Sequence, residues 1–136
     1  ELGFETLNPT KTDICKYAFD KTNGDGFDRV YDCAGAQPVA SSLLDTVKVR
    51  GQIVIVASYK KPAELPLFKG MAKEVSIHFV RVYRKKDVEI AAQIAAREPL
   101  YAKIITHILP PEEAQKGFDL LFTKGSGAVK VMYKFD

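Results

Sequence analysis

Gln52-Ile53-Val54-Ile55-Val56-Ala57 puts β-branched and apolar side chains on consecutive positions. A strand with one wet face alternates apolar and polar residues, so a run that is apolar on both faces belongs in the middle of a parallel sheet. Upstream, Phe27-Asp28-Arg29-Val30-Tyr31-Asp32-Cys33-Ala34-Gly35 reads as a second strand that runs into a turn of small residues. Between the two, Gln37-Pro38 opens a helix whose apolar face is Val39, Leu43, Leu44 and Val47, and Arg50-Gly51 is read as its end. Strand, helix, strand in this order is the repeating unit of an α/β protein with a mostly parallel sheet.

The same pattern extends in both directions. Phe4-Glu5-Thr6-Leu7 alternates and stops at Asn8-Pro9, which predicts a short strand. Thr12 and Asp13 can cap a helix with Ile14, Tyr17, Ala18 and Lys21 on one face, ending at Asn23-Gly24-Asp25-Gly26. Lys60-Lys61-Pro62 breaks the central strand. Leu67 to Lys73 suits a short helix and Val75 to Val82 a further strand. From Asp87 to Arg97, Val88, Ile90, Ala91, Ile94 and Ala95 recur at helical spacing. Ile104 to Leu109 reads as extended, Pro110-Pro111-Glu112-Glu113 as a helix start, and Val129 to Tyr133 as a closing strand.

The 136 residues are about one domain's worth of chain, and 46% hydrophobic with 27% charged residues excludes a disordered composition. The longest strongly apolar run, Ile53 to Ala57, falls far short of the ~20 residues of a membrane span. The opening Glu-Leu-Gly-Phe has no Met, basic region or apolar core, and reads as that of a fragment or processed product without a signal peptide. A net charge of +3 with interleaved acids does not imply nucleic acid; Arg81 to Lys86 reads as a solvated loop and helix start rather than a phosphate-binding patch. Cys15 and Cys33 fit free thiols in a reducing cytoplasm, and His78 and His107 do not make a metal site.

The order Asp32-Cys33-Ala34-Gly35, a helix ending in Gly51, Ile53-Val54-Ile55-Val56-Ala57, Lys73-Glu74-Val75-Ser76-Ile77, Ile105-Thr106-His107-Ile108-Leu109-Pro110 with Glu112-Glu113-Ala114 and Phe118, and Ala128-Val129-Lys130-Val131 resembles the C-terminal part of the zinc-dependent medium-chain alcohol and polyol dehydrogenases, the sorbitol and butanediol type above all. The likeness covers nearly the whole chain. It implies an incomplete Rossmann-type doubly wound parallel sheet, made of the later strands, with a helix-strand-helix-strand tail. Residues 1–83 would be the end of the dinucleotide-binding domain and residues 84–136 a tail that packs back on the catalytic domain. The family's zinc ligands and proton relay lie in an N-terminal domain not found in this sequence. Also missing are the G-x-G-x-x-G loop and the acidic residue that reads the ribose.

By the same resemblance, the cofactor, NAD or NADP, would be met at three strand ends: Cys33-Ala34-Gly35, Val56-Ala57-Ser58 and Phe79-Val80-Arg81-Val82. Small residues let a backbone approach a flat ring, though they also serve simply to turn a chain. Phe79 stands where the family usually has a small residue, and Ala57 where it often has Gly. Arg81 is open to two readings, a partner for a phosphate or ribose and a surface ion pair. No catalytic residue and no metal ligand is assigned to this chain. The implied parent is a cytoplasmic oxidoreductase using zinc and a nicotinamide cofactor on an alcohol, polyol or ketone, and the chain alone is expected to be inactive. The alternatives are a non-enzymatic interaction module with exposed strand edges, and the zinc-independent quinone reductase branch.

Two expectations concern edges. Val75 to Val82, last in the doubly wound order, is expected to pair with its twin in a second subunit as a homodimer. If Phe4–Leu7 is the third strand of that order and Phe27–Cys33 the fourth, two central strands are missing between them. Either the first strand moves beside Phe27–Cys33, or a second chain or further chain fills the gap.

Overall fold

A computed structural model describes residues 3–135. Two compact units divide at Val82/Tyr83: Glu5–Val82 forms one, and the chain from Tyr83 onward, with Gly3 and Phe4, belongs to the other. The first holds β1 (Phe27–Asp32), β2 (Val47–Ile55) and β3 (Ser76–Phe79), all parallel, in the order β1-β2-β3. The α/β class read from the sequence is therefore the class of the molecule. β2, carrying the doubly apolar run, is the central strand.

α1 (Ile14–Lys21) begins where Asp13 accepts the N–H groups of Cys15 and Lys16, satisfying two of the donors a helix start leaves free. α2 (Gln37–Thr46) packs Leu43 and Leu44 onto Val47, Ile53 and Ile55, the centre of the core, with Val30, Val39, Leu65, Val75 and Ile77 around it. Leu44 and Ile53 are fully buried. α3 (Leu67–Ala72) leads into β3 and leaves Leu67, Phe68 and Met71 largely in solvent.

Three expected boundaries move. α2 ends at Thr46 rather than at Arg50-Gly51, because Val47 is drawn into the core and pairs with Phe27. The Lys73 ammonium then donates to the carbonyls of Leu44 and Val47, capping the shortened helix. Lys48 to Gly51 bulge out of register before Gln52 meets Arg29; Arg50 takes a φ of 57°, and a Cβ at Gly51 would press within 2.9 Å of the Lys48 carbonyl. β3 is shorter than Val75–Val82, ending at Phe79. Phe4–Leu7 is not a strand and lies outside both sheets: its expected neighbour in the doubly wound order is not among the described strands, and it does not pair with the free edge of β1. Of the routes open to the gap in the sheet, the shift of that segment beside β1 is thus not the one taken, and β1 is a border strand.

The second unit holds α4 (Lys85–Arg97), β4 (Ile105–Leu109), α5 (Ala114–Phe122) and β5 (Lys130–Tyr133), with short 3₁₀ turns at Pro99–Ile104 and Pro111–Glu113. α4 starts two residues earlier than its apolar spacing suggests, since the Asp87 carboxylate accepts the Arg84 N–H at 2.7 Å and fixes the first turn. β4 and β5 form a parallel pair. Tyr133 donates to the Ala114 carbonyl and lies so close over Gly117 that no larger residue fits there. No helix among the described residues is long and apolar enough to cross a membrane.

Candidate functional site

Asp32 closes β1 and is 1% exposed. Its Oδ1 accepts the Ala34 and Gly35 N–H groups at 2.9 and 3.1 Å, and its Oδ2 accepts the Tyr59 hydroxyl at 2.5 Å. Its carbonyl receives the N–H groups of Val56 and Ala57, both at 2.9 Å, so one residue ties the end of β1 to the end of β2. An aspartate at a strand end folds the next residues into a tight turn by this kind of local bonding. Gly35 completes it with a φ of 66°, and a Cβ there would lie 3.0 Å from the Ser58 carbonyl. Only glycine admits so close an approach of the two strand ends.

Charge follows from the same contacts. Burial, the largest single influence, pushes the Asp32 carboxyl up, but the Tyr59 hydroxyl and the Gly35 and Ala34 N–H groups together outweigh it and hold the group below the usual carboxylate range. Tyr59 is pushed up to about 12, first by burial and then by donating to the ionised Asp32.

Above this pair lies a cleft at the carboxyl ends of β1 and β2. A cavity of about 490 Å³ runs between Ala34–Gln37 on one side and Ser58–Ala63 on the other. Beside it, a more apolar cavity of about 440 Å³ is walled by Leu43, Ile55, Tyr59, Leu65 and Phe79. Of the sequence-derived cofactor residues, Ala34, Gly35 and Ser58 face the first cavity and Phe79 the second. Val56 and Ala57 spend their N–H groups on Asp32 instead. Cys33 is exposed. Val80 extends the ladder by donating to the Ile55 carbonyl at 3.1 Å, while Arg81 and Val82 lie past the end of β3 and line neither cavity. Among the described residues Arg81 makes no ion pair.

Sequence reasoning passed over Asp32 as a member of a motif and Lys60 and Lys61 as part of the strand-breaking Lys60-Lys61-Pro62, and did not single out Tyr59. The available signal was an acid two residues before a small-residue turn, the pattern of a side chain that bonds its own turn. His78 and His107 fall on β3 and β4, and no group of three or more His, Cys, Asp or Glu among the described residues could hold a metal ion.

Comparison with known proteins gives a family whose description is "Zinc-binding dehydrogenase", matched by residues 1–97. The 2-dehydro-3-deoxy-L-galactonate 5-dehydrogenase of Pseudoalteromonas atlantica is 32% identical over 71% of this chain and 28% of its own length. The sorbitol dehydrogenase of Halalkalibacterium halodurans is 27% identical over 97% of the chain and 39% of its own length. Among solved structures, 2R,3R-butanediol dehydrogenase from Bacillus subtilis superposes with a TM-score of 0.83 at 21% identity, over 96% of this chain and 38% of that one. The chain therefore spans well under half the length of these relatives.

Proposed function

Because this chain belongs to the zinc-binding dehydrogenase family, we propose that it is the C-terminal part of an oxidoreductase that passes hydride between NAD or NADP and an alcohol, polyol or ketone, and that it is inactive alone. The observation that carries this reading is the cleft itself. Two adjacent parallel strands end in small residues that face each other across an open cavity, the place where ligands lie in open α/β sheets. The bound nicotinamide would supply the hydride acceptor or donor. This chain's residues do the positioning: Gly35 and Ser58 offer backbone for a flat ring to lie against, and Asp32 with Tyr59 keeps the two strand ends at fixed spacing. Cys33, Val56, Ala57, Val80, Arg81 and Val82 complete the three strand ends in this reading, and Phe79 narrows the third.

Zinc does not fit the described residues, and no step on this chain is assigned to it. On the family likeness it belongs to a catalytic domain elsewhere in a longer protein, with residues 84–136 packing back on that domain and residues 1–83 completing the dinucleotide-binding domain. The substrate is a small alcohol, polyol or ketone, the assembly a homodimer through residues 75–82, and the compartment the cytoplasm. A second reading, a non-enzymatic module that binds another chain, is favoured by the uncovered β1 and β3 borders and by the exposed Leu67, Phe68 and Met71.

The test is to express the open reading frame extended upstream of Glu1 to the length of the relatives and assay alcohol- and polyol-dependent reduction of NAD and NADP. Turnover that depends on zinc supports the proposal. Turnover without zinc moves the protein to the quinone reductase branch, and no turnover with any hydride donor leaves the interaction module.

A further inference from the structure

Lys60 and Lys61 stand at the mouth of the strand-end cleft and take part in none of the interactions described above. Both line the cavity opposite Ala34–Gln37, and both also line the apolar cavity beside it. Neither forms an ion pair among the described residues. No carboxylate lines either cavity. Asp32, the acid beneath the cleft, has both oxygens committed to Ala34, Gly35 and Tyr59. Glu64, the next acid along the loop, lines a separate cavity with Gln37 and Ser41. The cleft wall thus carries two neighbouring positive charges without an ion-pair partner, set against one buried negative charge, the hydrogen-bonded Asp32 carboxylate beneath it, and the mouth stays net positive. Ser58 adds a hydroxyl on the same wall.

We infer that Lys60 and Lys61 form an anion-accepting edge of this cleft, which selects a substrate bearing a phosphate or carboxylate over a neutral polyol. The inference rests on the reading that the cleft receives the nicotinamide. In a doubly wound sheet the pyrophosphate is held on a glycine-rich loop after the first strand. Lys60 and Lys61 stand instead on the loop after β2, in the part of the cleft that this reading gives to the nicotinamide ring and the reacting group, so an anion held there is assigned to the substrate and not to the cofactor.

The experiment follows the backbone amides of the 136-residue chain by NMR while sorbitol, a sorbitol phosphate, gluconate and NAD are added separately. Saturable shifts at Gly35, Ser58, Tyr59 and Lys61 are expected with the phosphate or the carboxylate and not with sorbitol. Lys60→Gln and Lys61→Gln should each weaken the midpoint about two- to five-fold, as for an exposed charge contact, while Lys60→Arg keeps it and the control Lys86→Gln leaves it unchanged. Added salt should weaken it in the unaltered chain, a readout that needs no variant. The inference is overturned if no anion gives saturable shifts at these amides, if the shifts persist in the double Gln variant, or if NAD alone gives lysine-dependent shifts. Its failure is separable from that of the proposed function. A longer protein that oxidises only neutral polyols sinks this inference and leaves the enzyme, whereas lysine-dependent anion binding without any dehydrogenase activity sinks the proposed function and, with it, the assignment of that anion as a substrate.

Discussion

Asp32 is a buried carboxylate with no cation as a partner, kept ionised by one hydroxyl and two N–H groups. Removing the hydroxyl by Tyr59→Phe takes away a hydrogen bond to a charged group, so stability to urea should fall by about 1.5–3 kcal/mol. Asp32→Asn should also flatten the acid limb of the stability profile. The folded carboxyl titrates below the unfolded one, near 4, so the unfolded state binds the proton more readily and stability contributed by Asp32 is full above that pH and lost as pH falls through the lower, folded value. Equal pH dependence in Asp32→Asn and the unaltered chain, measured by urea unfolding, would remove the ionised pair from the account. The strand running from Phe27 into the Ala34-Gly35 turn was legible because the turn is local. Tyr59 was not, since its partner lies 27 residues upstream and only the parallel register of β1 on β2 brings them together.

At the scale of elements, the buried runs were the legible part and the ends the illegible part. The apolar spacing Val39, Leu43, Leu44, Val47 continues smoothly past Thr46, and nothing local announces that Val47 will leave the helix to pair with Phe27 or that Lys73 will cap it from a distance. Lys73→Met keeps the stem and removes the donor; a loss of about 1–2 kcal/mol is expected, against about 2–5 kcal/mol for Leu44→Ala at the centre of the core. Similar losses for the two would mean that the ammonium cap matters as much as the core. Border strands give a further expectation. Amides of Val30 to Asp32 should be protected from hydrogen exchange by a covering chain, and fast exchange in a chain of confirmed intact mass would mean that the β1 border stays open to water. Phe4–Leu7 misled for a related reason: alternation marks a segment that would pair, and says nothing of whether its neighbour is present.

For the whole molecule, the strand-helix alternation was enough to settle an α/β class, and the order of short motifs enough to place it in its family. The charged mouth of the cleft was out of reach, because two adjacent lysines in a sequence look like any solvated turn until the opposite wall is known. The 136-residue chain alone is expected to bind NAD no tighter than millimolar and to oxidise no polyol, since it has no glycine-rich pyrophosphate loop and no metal cluster among its described residues. Micromolar affinity by calorimetry would sink this. Sedimentation should show a dimer through β3, and a strict monomer at high concentration would count against that pairing. The two borders of the sheet, β1 and β3, are unlike each other in sequence. Joining β3 to β3 closes a twofold pair, while joining β1 to β3 leaves a fresh copy of each border exposed at every step, which is the growth rule of a filament. How long the protein stays in solution is then a competition between a closed and an open mode of addition, won by whichever contact shields β3 first.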